Sequence, residues 1–236
     1  MPYHNCRSPG VYRIIVGEIS YLHEVLVSMP IVEAKETGRI EAFSDGVFAI
    51  AVTLLVLELK VPQLAEDAGS GELWSALLSR WPSYAAYLVS FMTILIVWVN
   101  HHRLFTIIQR SDTRFLFVNG LLLLVVTTIP FPTALLAEYF EKPSASVACA
   151  IYSGMFVLLA LAFNAFWHYA RRHRLLGPSV TGAQVAAISR SLMFGPITYF
   201  VAFVLAFVNV YASFGLCVLL AIYWAFSGFE RAIERA

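Results

Sequence analysis

Long apolar runs alternate with short polar breaks along the chain, and each run is about as long as a helix that crosses a bilayer. The first begins where the polar stretch Arg39-Ile40-Glu41-Ala42-Phe43-Ser44-Asp45-Gly46 passes without a break into Val47 through Leu57, and it stops before Pro62. A hydrocarbon core about 30 Å thick needs about 20 helical residues, and a span over about 38–60 supplies them. Later runs predict spans over about 82–107, 114–137, 145–170, 187–210 and 212–229. The acidic, glycine-containing stretch Glu66 to Glu72 separates the first two, and Leu73 to Leu78 reads as a short interfacial helix. Pro130-Phe131-Pro132 falls late in the third run, where a proline removes a backbone donor and kinks or ends a helix. The fifth and sixth runs are separated only by a tight link near Asn209 to Ser213, which makes them a helical hairpin. The expected fold is therefore all-α: a polytopic membrane protein whose six transmembrane helices occupy residues 37–236.

Residues 1–36 do not continue this pattern. Ile15, Ile19, Leu22 and Leu26 share one helical face, but Glu18, His23 and Glu24 interrupt any apolar core long enough for a secretory signal or a span. An amphipathic surface helix is one reading. The preferred one makes this segment an N-terminal extension upstream of a natural start at Met29, since Met29-Pro30 opens a short polar lead into the first span.

Composition strengthens the membrane reading. The chain is 59% hydrophobic and 13% charged, with mean hydropathy +0.73, against about 25% charged residues in a soluble domain. A net charge of +1 and the lack of a Lys/Arg-rich block leave nothing with which to bind nucleic acid. Cys6, Cys149 and Cys217 form no C-x-x-C and read as packing residues rather than a disulfide framework. Basic residues favour cytoplasmic loops. Of the 16 lysines and arginines, only Lys60, Arg80 and Lys142 fall on one face. The remainder fall on the other, which places both termini in the cytoplasm.

Two features carry the candidate chemistry. Asp45 sits inside the first span, where an ionisable group needs a partner and marks a functional site; the alternative is that Ser44 and Asp45 cap the helix in the headgroup region. Arg39 and, on the second span, Trp98, Asn100, His101 and His102 are candidate partners, with Asn119 on the third span another polar group that needs one. His101 and His102 point about 100° apart, which argues against a two-histidine metal site. Either can share a face with Trp98, and the one outside such a network would sit at the interface near Arg103. The second feature is the face formed by Ile50, Leu54 and Leu57, with Thr53 beside it. Periodicity alone makes this face lipid-facing or packing.

The R-x-x-x-F-S-D-G block, together with Trp98-Val99-Asn100-His101-His102 and Pro130-Phe131-Pro132-Thr133-Ala134-Leu135-Leu136, resembles the bacterial members of the transmembrane protein 175 family, over roughly residues 37–236. The resemblance implies a potassium-permeable channel that is a homotetramer in the bilayer, with the first helix of each subunit lining the pore. It implies a narrowest ring at Ile50, with Thr53, Leu54 and Leu57 as further pore layers. It also implies that Arg39, Phe43, Ser44, Asp45, Trp98, His101 or His102, and Asn119 fasten that helix to its neighbours. No cofactor is expected. The permeant ion is K⁺, with Na⁺ and H⁺ left open.

No T-V-G-Y-G loop is present, so the pore would be walled by apolar side chains that gate by dewetting and steric closure. The alternative is a secondary transporter, which calls for a discontinuous helix and a mid-membrane site, and often for paired repeats. None is visible, and the F-S-D block occurs once. The usual hydrolase and metalloprotease motifs are missing, so the expectation is a protein that is not an enzyme. The bacterial resemblance adds an expected plasma-membrane location.

Overall fold

The computed structural model describes residues 37–227, so the expectations for residues 1–36 lie outside it. The described residues form helices α1 (Gly38–Leu54), α2 (Ser70–Ser79), α3 (Trp81–Ile107), α4 (Thr113–Thr128), α5 (Pro130–Tyr139), α6 (Ala145–Arg172), α7 (Gly182–Leu205) and α8 (Val210–Ser227), with a tighter 3₁₀ turn, Leu55–Glu58, extending α1. Among the described residues five stretches are long and apolar enough to cross a membrane: Gly38–Glu58, Trp81–Ile107, Thr113–Tyr139, Ala145–Arg172 and Gly182–Leu205. Val210–Phe226 is a shorter apolar helix. The all-α membrane fold read from the sequence is the fold found.

The third span breaks where its prolines require it. Ile129 links α4 to α5, and its carbonyl accepts both the Thr133 amide at 3.2 Å and the Thr133 hydroxyl at 2.8 Å. That hydroxyl starts a buried chain across three helices: Ser90 Oγ on α3 lies 2.7 Å from Thr133 Oγ1 and 3.0 Å from Tyr152 Oη on α6. In lipid, where apolar contact brings helices no hydrophobic gain, such bonds and close small-residue packing hold a bundle together.

The fifth span starts earlier than expected, at Gly182 rather than near residue 187. Thr181 and Gln184 form a capping box whose two bonds measure 2.9 and 3.2 Å, which brings a polar first turn into the helix. The hairpin link is displaced with it, to residues 206–209, where the Asn209 side chain accepts the Ala212 amide at 3.0 Å. Ser213, expected in that link, is instead buried in α8 and donates to the Ala202 carbonyl at 2.6 Å.

Pro196 lies inside α7 without ending it. Having no N–H, it leaves the Leu192 carbonyl one turn back without its helical donor. Asn164 on α6 supplies the bond at 2.9 Å, while also donating to Ala160 at 2.8 Å. Asn164 is thus a clasp between α6 and α7. A Cβ at Gly195 would lie 3.4 Å from Ala160 Cβ, so the two helices touch closely there.

At the end of the bundle that carries most of the cations, the loop after α6 is tied to the end of α3. The Gln109 and Arg110 amides donate to Leu175 at 3.0 and 3.2 Å, and the Gly177 amide to Ile107 at 2.8 Å. Asp112 caps α4 by accepting the Phe115 amide at 2.7 Å, and the Tyr169 hydroxyl lies 3.0 Å from both of its oxygens. The Phe115 amide, followed by that hydroxyl, holds the Asp112 carboxyl below the usual carboxylate range.

Candidate functional site

Position on α1 decides which of its residues meet the rest of the chain. Successive residues advance by about 100°. Ser44, Phe48, Ala51 and Leu55 consequently fall on one side and are buried against α3 and α4. Turned away from them is a broad uncovered arc: Arg39, Phe43, Gly46, Ile50, Thr53, Leu54 and Leu57 are all exposed. Ile50 is 59% exposed, Leu54 41% and Leu57 68%. The Thr53 hydroxyl donates to the Ile50 carbonyl at 2.9 Å, so its hydrogen is held by the helix while its oxygen remains on the arc.

Two separate polar fasteners hold the covered side. The first is buried. Ser44 Oγ donates to the Ile40 carbonyl at 2.8 Å and accepts Asn119 Nδ2 at 2.9 Å. This orients the Asn119 amide, so Oδ1 faces His101 and accepts from Nε2 at 3.0 Å. His101 is fully buried, with its ring 4.7 Å from that of Phe105 and 5.3 Å from those of Phe48 and Phe166. Among the described residues its Nδ1 has no hydrogen-bond partner. One relay thus joins α1, α4 and α3.

The second fastener is a ladder at the edge of the arc. Trp98 Nε1 donates to Asp45 Oδ1 at 2.9 Å, and His102 Nδ1 meets Glu41 Oε1 at 2.9 Å. Trp98 and His102 are stacked, their ring centroids 6.2 Å apart. Both rungs follow from i, i+4 spacing on antiparallel helices: Glu41 and Asp45 on α1, Trp98 and His102 on α3.

The structure therefore brings Ser44, Asp45, Trp98, His101, His102 and Asn119 to the covered side, with each histidine in a different fastener. Arg39 and Phe43, expected in the same network, stand outside it. Arg39 is six residues from Asp45 and about 120° around the helix from it, and Phe43 is 67% exposed on the arc. Glu41 was missed as a rung, although its spacing from Asp45, matched by that of Trp98 and His102, was there to be read. Among the described residues no group of His, Cys, Asp and Glu is placed to hold a metal.

Comparison with known proteins identifies the family. The family model described as "Endosomal/lysosomal potassium channel TMEM175" matches residues 39–130, from Arg39 on α1 to the start of α5. A potassium channel of Chamaesiphon minutus is 55% identical over 196 residues, covering 82% of this chain and 95% of its own. A potassium channel of Streptomyces collinus is 47% identical over 194 residues, covering 81% and 93%. The crystal structure of a lysosomal potassium-selective channel TMEM175 homolog from Chamaesiphon minutus superposes with TM-score 0.73 at 52% identity, over 82% of this chain and 98% of that one. With identity above half across nearly the whole of such a relative, the chain belongs to the TMEM175 family.

Proposed function

We propose that this chain is a potassium-permeable cation channel in which copies of α1 surround the conducting axis. The observation that carries this reading is the uncovered arc of α1. A single α1 cannot enclose a path, whereas several arcs facing one another can, and a closed ring of identical chains is the assembly that shares one axis. The proposed ring is a homotetramer in the bacterial plasma membrane. Each chain crosses six times, with the shorter Val210–Ser227 helix as the sixth span and both termini in the cytoplasm.

Within the ring, Ile50 forms the narrowest layer, with Thr53 and Leu54 about one turn beyond it and Leu57 about two. An ion passing four isoleucine side chains sheds water against a wall that returns no oxygen ligands. Potassium holds its water less tightly than sodium, so such a barrier favours K⁺. An apolar constriction also closes by dewetting. The two fasteners fix the rotation of α1 and so determine which residues reach the axis. No catalytic chemistry and no cofactor enter this scheme.

The test is electrical recording from purified protein in planar bilayers under opposed potassium and sodium gradients, with subunit number measured by mass in lipid nanodiscs. Unitary currents that reverse near the potassium equilibrium potential, from a four-chain assembly, support the proposal. Saturable flux without unitary currents would replace it with a transporter, and a monomeric or dimeric mass would remove the shared axis.

A further inference from the structure

No aspartate or glutamate occurs between Glu141 and Glu230, so α6, α7 and α8 carry no acidic side chain. Yet Arg171, Arg172, Arg174 and Arg190 all lie in this stretch and are exposed. Asp112, the carboxylate that caps α4 at this end of the bundle, is occupied by the Phe115 amide and Tyr169. Among the described residues none of these arginines is paired with a carboxylate.

Two of them are placed unlike the others. Arg171, in the last turn of α6, has its guanidinium positioned by two side chains: Nη1 lies 3.4 Å from Ser189 Oγ on α7, and Nη2 lies 3.3 Å from His168 Nδ1. Ser189 is itself fixed, donating to Val185 at 2.7 Å and accepting Trp167 Nε1 at 2.9 Å. Arg190 is the next residue after Ser189. It is two turns inside α7 and so stands along the wall of the bundle rather than in a loop.

Beyond Arg190, the i+4, i+7 and i+11 positions are Phe194, Ile197 and Val201, which are 58%, 60% and 47% exposed. Eleven residues of helix extend about 16 Å, close to the half-thickness of a core of about 30 Å. A cationic head above an apolar strip one leaflet long has the shape and charge of an anionic phospholipid. The helix that carries this strip, α7, packs mainly on α6 and α8 rather than on α1.

We propose that Arg171 and Arg190 form the headgroup site of an anionic phospholipid in the adjacent leaflet, with an acyl chain lying along Phe194, Ile197 and Val201. Planar guanidinium groups suit a phosphodiester because they offer paired donors in a fixed geometry.

The experiment uses the full chain in nanodiscs of phosphatidylcholine with increasing phosphatidylglycerol, with retained lipid counted by native mass spectrometry. The wild type is expected to retain phosphatidylglycerol at least tenfold over phosphatidylcholine, and the Arg171→Gln/Arg190→Gln protein to lose that preference. Arg171→Lys/Arg190→Lys, which keeps the charge, is expected to regain part of it and serves as the folded comparison. Arg110→Gln/Arg172→Gln, at exposed positions away from the strip, should leave it unchanged. The proposal is overturned if the first double variant retains the wild-type preference. It is also overturned if Arg110→Gln/Arg172→Gln removes the preference equally, which would indicate diffuse surface charge. Displacement of the lipid by millimolar inorganic phosphate would make the ligand a soluble anion, and a change in subunit number on Arg190→Gln would make the strip a contact between copies; either result overturns it.

Discussion

Asn119 is the middle of the buried relay, and its replacement by leucine should be destabilising for a reason that a second substitution can expose. Asn119→Leu removes the acceptor of His101 Nε2 at 3.0 Å and the donor to Ser44 Oγ at 2.9 Å. The two losses are unequal. Ser44 keeps its own donation to Ile40 at 2.8 Å, so it forfeits only an accepted bond. His101 is fully buried and already has an unpartnered Nδ1, so both of its ring nitrogens would then be orphaned. A buried polar group stripped of its partner costs about 1–3 kcal/mol; bonds between membrane helices run from about 0.6 to 2 kcal/mol. A loss of about 2 kcal/mol follows, nearly all of it through His101.

His101→Phe reverses that loss. The ring sits among Phe48, Phe105 and Phe166, so phenylalanine suits both its shape and its surroundings. Removing both partners of a buried bond together can be nearly neutral. In thermal unfolding of the assembled protein in mild detergent, followed by tryptophan fluorescence and by size-exclusion recovery, Asn119→Leu should unfold well below the wild type. Asn119→Leu/His101→Phe should recover most of the difference. Strictly additive losses in this cycle would refute the relay as the reason Asn119 matters.

Three more outcomes follow from the geometry. Ile50→Asn should raise unitary current by about tenfold, equivalent to about 1.4 kcal/mol off the barrier, and reduce potassium preference in bilayer recordings; Leu54→Asn should do so more weakly, and equal effects from Val56→Asn, at the far edge of the arc, would show the pore face to be misassigned. Asn164→Leu should cost about 1–2 kcal/mol by orphaning the Leu192 carbonyl freed by Pro196, and the added change Pro196→Ala should restore it in thermal unfolding. Asp112 has a depressed carboxyl pKa, so its contribution is present above the ordinary carboxylate range and lost as pH falls through the lowered value; Asp112→Asn should flatten the acid side of the pH–stability curve, and an unchanged curve would count against its capping role.

The spans were legible because lipid demands long apolar runs, and Asp45, Trp98 and Asn119 were legible because a polar group within such a run requires a partner. Which groups pair was not legible. Pairing depends on how α1, α3 and α4 are rotated against one another, and apolar side chains of similar size fix that only in three dimensions. Both histidines beside Trp98 therefore looked equivalent, and the structure gives each its own partner. Glu41 was read as part of the charged lead because it stands one turn before Asp45. Arg39 was placed in the network for its charge, although its angle puts it on the arc. The start of α7 was misplaced because Gln184 looks like loop until the reciprocal bond to Thr181 is seen.

The separation of the two fasteners has a consequence for conduction. The relay through Asn119 is buried and joins three helices, whereas the ladder through Trp98 and His102 lies at the edge of the arc, where Asp45 is half-buried and water can replace a lost donor. Trp98→Phe removes the 2.9 Å bond to Asp45 but leaves the relay intact, so assembly and thermal stability should remain close to the wild type. Rotation of α1 is then held at that edge by the Glu41–His102 rung alone. With side chains about 5–6 Å from the helix axis, a turn of about 20° carries the Ile50 side chain about 2 Å along the pore wall, a distance comparable to the radius of a bare ion. Trp98→Phe should therefore broaden the distribution of unitary conductances and reduce the potassium-to-sodium permeability ratio while subunit number is unchanged. A variant with wild-type currents would assign the setting of α1 to the buried relay and the Glu41–His102 rung, without the Asp45 rung. Loss of the assembled protein would show instead that the Asp45 rung, despite its partial exposure, is part of what holds the fold.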